Sequence, residues 1–147
     1  MNVNRLFHVV GSALNSQRQR LNIIAGNLAN AESTRAPNGG PYVRRDVVFR
    51  ANVPSSPFAT VFSQAFGRPA EPHGVKIEKL VFDQRPPREV YDPHHPDADS
   101  KGYLHLPNVN VIEEMTNMLS ASRAYEANLA VLETGKSMTM RALQMGQ

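Results

Sequence analysis

Histidine and aspartate, two residue types that could bind a metal ion, are concentrated in one short stretch of this 147-residue chain. Five of them fall within eight residues: Asp92, His94, His95, Asp97 and Asp99. Imidazole and carboxylate are common ligands of zinc and other transition metals. The spacing, however, provides no His-x-x-x-His pair for a helix, and Pro93 and Pro96 make the stretch a turn. Because Asp and His in such turns usually hydrogen bond to nearby backbone amides, we expect a structural turn and no metal.

The sequence also lacks the residue patterns that other kinds of catalysis need. A nucleophilic serine requires a positioned base and oxyanion donors, and no serine lies in a Gly-x-Ser-x-Gly elbow. No glycine-rich phosphate loop follows a predicted strand, and the carboxylates of Glu113 and Glu114 diverge on a predicted helix. The sequence therefore predicts no enzyme and no cofactor, and an enzyme that uses His94 or His95 is the least favoured alternative.

Composition argues against several further classes of protein. The chain has no cysteine, which excludes disulfides and thiolate metal sites. Its net charge of +3 is mildly basic, but the basic residues are scattered and have no aromatic stacking platform, so we expect no nucleic-acid binding. No stretch approaches the roughly 20 apolar residues of a membrane span. The N-terminus does not resemble a cleaved signal peptide, so we expect no membrane insertion and, outside the cytoplasm, export by another route.

The distribution of proline reveals the elements that must position any functional residue. All 11 prolines lie between Pro37 and Pro107. Because proline is costly inside a helix, this distribution predicts two helical arms around a non-helical insert. We place the N-terminal arm at 1–34, a small β-rich insert at 35–107 with a flexible linker at 51–73, and the C-terminal arm at 108–147. The predicted class is α+β, with the long terminal helices pairing as an antiparallel coiled coil and a small β domain inserted between them.

The C-terminal arm carries a stripe that alternates spacings of four and three residues, as in the seam of a coiled coil. Asn110 is expected to cap a helix of about 35 residues, roughly 50 Å long. The stripe has mostly apolar members: Val111, Met115, Met118, Ser122, Tyr125, Leu129, Leu132, Lys136, Thr139 and Leu143.

The N-terminal arm repeats this pattern in a helix predicted from about Asn4 to Asn30. Its stripe comprises Phe7, Val10, Leu14, Gln17, Leu21, Ile24, Leu28 and Ala31. Two helices in one chain cover only part of each stripe, so we expect the remainder to pack against other subunits. A contact of this kind that does not close generates a helical tube, and we expect the arms to become ordered on assembly.

Four strands are predicted in the insert, at 42–50, 74–82, 89–91 and 103–106, forming one twisted sheet or a pair of hairpins. In the first strand, Val43, Val47 and Phe49 define an apolar face, and Arg44 lies on the opposite, polar face. For residues 54–72, the sequence allows an irregular loop whose phenylalanines pack on the sheet, or a mobile arm that docks on a neighbouring subunit.

Two stretches of the arms resemble the paired signatures of bacterial flagellar rod, hook and hook-associated proteins. The first is IAGNLANAEST at 24–34, where the resemblance is carried by Asn27, Leu28, Ala29, Asn30, Ala31 and, one residue late, Thr34. The second is EEMTNMLSASRAYEAN at 113–128, where it is carried by Glu114, Met115, Ser122, Arg123, Tyr125, Ala127 and Asn128. Residues 74–76, 91–103 and 107–109 are similar to proximal members of the rod family, whereas 51–71 match no pattern of that family.

This resemblance implies a structural subunit of the proximal rod, which transmits motor torque through the periplasm and is exported by the flagellar type III apparatus without a cleaved signal. Implied partners are neighbouring proximal rod subunits, the rod-base adaptor, the distal rod and copies of the chain. The alternative is a cytoplasmic coiled-coil adaptor that binds a client through its β insert. The residues expected at the assembly interface are Phe7, Val10, Leu14, Leu21, Ile24, Asn27, Leu28, Asn30, Met115, Met118, Tyr125, Asn128, Leu129, Leu132 and Leu143.

Overall fold

The computed structural model describes residues 3–36, 39–53 and 73–145, so both alternatives for 54–72 lie outside the described residues. A 27-residue helix and a 35-residue helix flank the strands, which confirms the predicted α+β class. In chain order the elements are α1 (Val3–Ala29), β1 (Arg45–Ala51), β2 (Val75–Phe82), β3 (Arg88–Tyr91), β4 (Tyr103–Leu106) and α2 (Val111–Met145).

The side chain of Asn110 starts α2, as the sequence predicts. Its Oδ1 accepts hydrogen bonds from the backbone amides of Ile112, at 3.0 Å, and Glu113, at 3.4 Å. These amides have no partner within a helix, so the cap satisfies them. The acidic side chains of Glu113 and Glu114 in the first turn also favour the positive end of the helix dipole.

Asn30, in the first of the two signature-like stretches, closes the end of α1. Its backbone amide and its side-chain Nδ2 both donate to the carbonyl of Gly26, at 3.2 and 2.8 Å. The hydroxyl of Ser33 in turn donates to the carbonyl of Asn30 at 3.0 Å. These bonds satisfy carbonyls that the last helical turn leaves without partners, so the chain leaves α1 in a defined turn.

The strands form two separate two-stranded sheets among the described residues. In the first sheet, Asp83 N donates to Arg44 O at one end and Asn52 N donates to Gly74 O at the other, so β1 and β2 run antiparallel. In the second sheet β3 and β4 are antiparallel, with Tyr91 opposite Tyr103. Of the two predicted arrangements, the structure therefore has the pair of hairpins.

The described residues divide into two compact units, and each helix contributes to both. The first unit contains 3–19, 48–53, 73–79 and 122–145. In it Leu6 of α1 packs closely on Gly135 of α2, since a Cβ added to Gly135 would lie 3.0 Å from Leu6 Cδ2. The second contains 20–36, 39–47 and 80–121, and there Asn27 of α1 hydrogen bonds to Glu114 of α2. Residues early in α1 therefore lie beside residues late in α2, and residues late in α1 lie beside residues early in α2. This confirms the predicted antiparallel pairing.

The buried core is small, and its largest members are not all apolar. The buried hydrophobic residues are Val10, Ile24, Ala31, Leu104, Leu106 and Ala121. The largest side chains below 2% exposure are those of Glu114, Asn27 and Pro107. Because a polar group is costly to bury unless it is hydrogen bonded, the buried side chains of Asn27 and Glu114 need hydrogen-bond partners inside the fold.

Candidate assembly interface

Asn27, near the end of α1, uses the full hydrogen-bonding capacity of its side-chain amide. Its Nδ2 donates to Glu114 Oε2 at 3.0 Å and to the Arg45 carbonyl at 2.7 Å. Its Oδ1 accepts from the Arg45 amide at 3.0 Å and from the Tyr42 hydroxyl at 2.8 Å. Two donors and two acceptors are all that an amide side chain offers, so Asn27 is buried without an unmet polar group.

Glu114 and Arg44 form an ion pair beside Asn27. Glu114 Oε1 accepts from Arg44 Nε at 2.9 Å and lies 2.7 Å from Arg44 Nη2. The Glu114 side chain is 1% exposed and that of Arg44 is 11% exposed. Burial acts to lower the pKa of Arg44, but the hydrogen bond to Glu114 and the charges of Glu114 and Asp46 outweigh it and raise that pKa. The arginine therefore remains charged inside the second unit.

Further contacts join this ion pair to the loops around it. The backbone amide of Arg44 donates to Asn108 Oδ1 at 3.3 Å, and Asn108 Nδ2 donates to the Arg85 carbonyl at 3.2 Å. Arg45 Nε donates to the Tyr42 hydroxyl at 3.0 Å, and the Arg45 guanidinium lies 5.2 Å from the centre of the Tyr42 ring. We call Asn27, Tyr42, Arg44, Arg45 and Glu114 the buried polar network, after its two buried members Asn27 and Glu114; Tyr42 and Arg44 are partly buried and Arg45 is exposed. The network ties the end of α1 to the start of β1 and of α2.

The two signature-like stretches therefore meet in space, since Asn27 belongs to one and Glu114 to the other. Thr34, the last residue of the first stretch, also makes a long-range bond: its hydroxyl donates to Asp97 Oδ2 at 2.8 Å. Arg35 Nη2 lies 3.5 Å from the other oxygen of Asp97. These residues consequently hold parts of their own chain together.

The histidine- and aspartate-rich segment forms the turn between β3 and β4, and its side chains bond to local backbone amides as the sequence predicts. Asp92 Oδ1 accepts from His94 N at 3.2 Å. Asp99 Oδ1 accepts from Lys101 N at 2.8 Å and from Tyr103 N at 2.9 Å. Those two bonds lower the pKa of Asp99. Within 3–36, 39–53 and 73–145, no group of three or more His, Asp or Glu residues is placed to hold a metal ion.

In the first unit, the start of β2 lies directly against α1. Ser12 Oγ accepts from Val75 N at 3.0 Å and donates to the Val9 carbonyl at 2.7 Å. Gly74 has a φ of +138°, and a Cβ added there would collide with Ser12 Oγ. Glycine is required at this position because the approach is close and the backbone conformation is one that other residues rarely adopt.

The residues predicted at the assembly interface occupy three environments in the chain. Val10, Ile24 and Asn27 are buried. Partly buried are Phe7, Leu14, Leu21, Leu28, Asn30, Met118, Tyr125, Asn128 and Leu132. Met115, Leu129 and Leu143 are exposed, by 57%, 39% and 65%. All the predicted residues of α1 are thus at least partly covered by their own chain, and the exposed ones lie on α2.

Residues of α2 that are seven positions apart form rows along the helix, and the buried face of α2 consists of two such rows. One of these rows belongs to the predicted stripe and the other does not. The predicted row of Met118, Tyr125, Leu132 and Thr139 is partly buried. The second covered row is Glu114, Ala121, Asn128 and Gly135, at intervals of seven residues. The predicted row contains Met115, Ser122, Leu129, Lys136 and Leu143; Ser122 is partly buried and the other four are exposed. Gly135 shows one physical reason, because only the absence of a side chain allows Leu6 and Phe7 to approach so closely.

As a result, α2 displays a large apolar surface to solvent. Ten of its large apolar residues are exposed, and we call them the apolar surface of α2: Val111, Ile112, Met115, Leu119, Leu129, Val131, Met138, Met140, Leu143 and Met145. In α1, by contrast, Val3 is the one large apolar residue exposed among the described positions. Seven of them share one side of the helix, within an arc of about 140°, whereas Val131, Met138 and Met145 lie on another side. Extensive exposed apolar surface marks sites of protein–protein interaction, so α2 is the candidate interface.

Three functional features were missed from the sequence. Arg44 was placed on the polar face of the first strand, but only 11% of its side chain is exposed; the preference of arginine for solvent left no signal for this. Val43, assigned to the apolar face, is 45% exposed. Gly135 was overlooked although it lies seven, fourteen and twenty-one residues after Asn128, Ala121 and Glu114, a repeat that could have shown the buried row.

Among the described residues, no helix combines the length and the hydropathy that a membrane span needs.

Comparisons with known proteins match the two arms and nearly the whole chain. A family model described as "Flagella basal body rod protein" matches residues 7–36, and one described as "Flagellar basal body rod FlgEFG protein C-terminal" matches residues 100–145. These segments contain Asn27 and Glu114.

Full-length similarity is found to curated proteins named "Flagellar basal-body rod protein FlgC". The protein of Escherichia coli O6:H1 is 45% identical over 142 residues, 97% of this chain and 96% of the relative. That of Yersinia enterocolitica is 42% identical over 148 residues, 100% of both chains. That of Borreliella burgdorferi is 40% identical over 144 residues, 95% of both.

Proposed function

Because this chain belongs to the FlgC family of flagellar basal-body rod proteins, we propose that it assembles helically with neighbouring subunits in the proximal rod. The chain is a structural rod subunit, and its relatives are structural rod proteins rather than enzymes. In the proposed assembly it transmits motor torque through the periplasm, after export by the flagellar type III apparatus. The relatives do not favour the alternative of a cytoplasmic adaptor.

The observation that carries this proposal is the apolar surface of α2. Fully burying a leucine or methionine side chain contributes about 1.5–3 kcal/mol. Met115, Leu129 and Leu143 retain 57%, 39% and 65% of their exposure in the isolated chain, so covering them contributes about 1 kcal/mol each. The proposed cover is the terminal helices of neighbouring rod subunits, since other rod proteins are the partners that family membership implies.

The predicted interface residues then divide into two roles. Met115, Leu129 and Leu143 contact neighbouring subunits directly. Those that are covered within the chain hold α1 against α2 and keep the apolar surface in place. The arms at 1–34 and 108–147 build the tube, and the insert at 35–107 is the outer part. Proposed neighbours are other proximal rod subunits, the rod-base adaptor, the distal rod and copies of this chain.

An aspartate at Leu129 tests this proposal, with the exposed residue Ser120, on the opposite side of the helix, as the matched control. We expect Leu129→Asp to abolish rod assembly and motility in cells that lack the native subunit, because burying an unpaired carboxylate at a subunit contact is costly. Ser120→Asp adds the same charge nine residues away, about 180° around the helix axis from Leu129, and should be tolerated better. Circular dichroism of both purified variants checks that the fold is intact, and normal motility of Leu129→Asp would refute the interface.

A further inference from the structure

We infer that the buried polar network sets the rotation of α2 about its own axis, so that Met115 faces a neighbouring rod subunit rather than α1. This inference rests on the proposed function for the identity of the neighbour. In this role Asn27, Arg44 and Glu114 are positioning residues, which act on assembly through the face of α2 that they leave exposed.

Two overlapping faces of α2 could pack on α1. Both contain the row Met118, Tyr125, Leu132 and Thr139. The structure combines it with the row of Glu114, Ala121, Asn128 and Gly135, whereas the alternative face would combine it with Met115, Ser122, Leu129, Lys136 and Leu143. In a helix with a seven-residue repeat the two faces differ by a rotation of about 50°.

Apolar burial alone favours the alternative face. It would cover Met115, Leu129 and Leu143, whereas the observed face covers Ala121 as its one unshared side chain that is both apolar and buried. Since burial of apolar area is the main favourable term in helix packing, the observed rotation requires an interaction besides the close approach at Gly135 to select it.

The buried polar network supplies that interaction. Glu114 is 0% exposed because its carboxylate fits between Arg44 and the amide of Asn27. Rotating α2 by about 50° would withdraw this carboxylate and leave one amide proton of the buried Asn27 without its partner. The largely covered Arg44 would keep only Asp46, which is 54% exposed and lies 3.4 Å from Arg44 Nη1. A largely covered charge that loses its closest partner is destabilising, and fixing register is a well-established role of buried polar groups in coiled coils.

The consequence of this rotation is an outward stripe suited to an apolar helix of a neighbouring rod subunit. Ile112, Met115 and Leu119 are spaced three and four residues apart, so they share one side of the helix. All three are more than half exposed and none is charged. In the alternative rotation Met115 would turn toward α1 and this stripe would lose its most central member.

Single cysteines can measure the rotation, because the chain has no native cysteine. The reporters are Met115→Cys, Ala121→Cys and, on a side that stays exposed in both rotations, Thr116→Cys. Each is placed in the parent chain and in a network-free variant that carries Asn27→Leu, Arg44→Met and Glu114→Leu. The rate of maleimide labelling is measured for each purified chain.

We expect fast labelling at 115 and 116 and slow labelling at 121 in the parent. In the network-free variant the rate at 115 should fall about tenfold and the rate at 121 should rise about tenfold, as the population shifts between rotations. The rate at 116 should not change. A general loosening would instead raise the rate at 121 without lowering that at 115, and this result, or unchanged rates, would overturn the inference.

Glu114→Gln provides the same test if the network-free variant does not fold. Glutamine keeps the shape of the side chain but loses the charge that attracts Arg44, so smaller changes of opposite sign are expected at 115 and 121. Their absence would count against the network as the selecting interaction.

Rod assembly in cells separates this inference from the proposed function. We expect the network-free variant without reporter cysteines to fold and yet fail to assemble. If labelling shows the rotation but assembly is normal, the link between the network and the neighbour is wrong. If labelling behaves as expected but Leu129→Asp assembles normally, the proposed interface is wrong and the control of rotation by the network still stands.

Discussion

Replacing Glu114 with alanine should lower the free energy of unfolding by about 3–5 kcal/mol, the usual cost of removing one partner from a buried ion pair. The geometry favours a value in this range, because the Arg44 side chain is 11% exposed and bonds to Glu114 through both Nε and Nη2. Asn27 would also lose one of its four hydrogen bonds. For a chain of this size, a loss of 1 kcal/mol lowers Tm by roughly 2–4 °C, so a decrease of about 6–20 °C is expected.

The control for this substitution is Glu78→Ala, which removes an ion pair at the surface. Glu78 lies 2.8 Å from Arg50, and the two side chains are 40% and 65% exposed. Such pairs contribute about 0–1 kcal/mol, so Glu78→Ala should leave Tm nearly unchanged in the same far-ultraviolet circular dichroism melt. Adding Arg44→Met to Glu114→Ala should recover part of the loss, since it removes the largely covered charge that is left with Asp46 as its remaining carboxylate. Equal losses for Glu114→Ala and Glu78→Ala would refute the reasoning.

Two further predictions concern the turns. Gly74→Ala should lower the free energy of unfolding by about 1–3 kcal/mol, because of its unfavourable φ and its collision with Ser12. The control Gly40→Ala, where a Cβ has open space around it, should be nearly neutral in the same urea unfolding experiment. Equal effects of the two substitutions would contradict the argument. The pKa of Asp99 is lowered from its ordinary 3.8 by bonds from the amides of Tyr103 and Lys101. Its stabilisation of the turn is therefore complete above that value and lost as the pH falls through the lower pKa of the folded state. The amide resonance of Tyr103 should report this loss between neutral and acid pH, and a resonance that titrates in the same way in Asp99→Asn would contradict the assignment.

The periodicity of the sequence predicted the helices accurately because their signals are local. Proline distribution predicted two terminal helices around a β region, and the cap at Asn110 gave the start of α2. The short strands around the turn at 91–103 were also found, since the turn residues there bond to their own backbone. Each of these features depends on residues close together in the chain, where spacing and residue type determine the geometry.

The rotation of α2 could not be predicted in the same way. Counting apolar residues selects the row of Met115, whereas the structure selects the row of Glu114 through contacts with residues far away in the chain. Asn27 and Glu114 are 87 residues apart, and nothing in either local pattern shows that they meet. The family resemblance identified both positions but not their contact. The low exposure of the Arg44 side chain depends on its pairing with Glu114.

The methionines at the end of α2 make the isolated chain sensitive to oxidation. Met138, Met140 and Met145 are 68%, 54% and 83% exposed, so peroxide reaches their sulfur atoms without any opening of the fold. Conversion to the sulfoxide makes a flexible apolar side chain polar. This would weaken packing of a neighbouring subunit on the apolar surface of α2 without changing the core. Preparations exposed to air could thus retain full helicity and still fail to join a rod, and methionine sulfoxide reductases would be the enzymes to restore them.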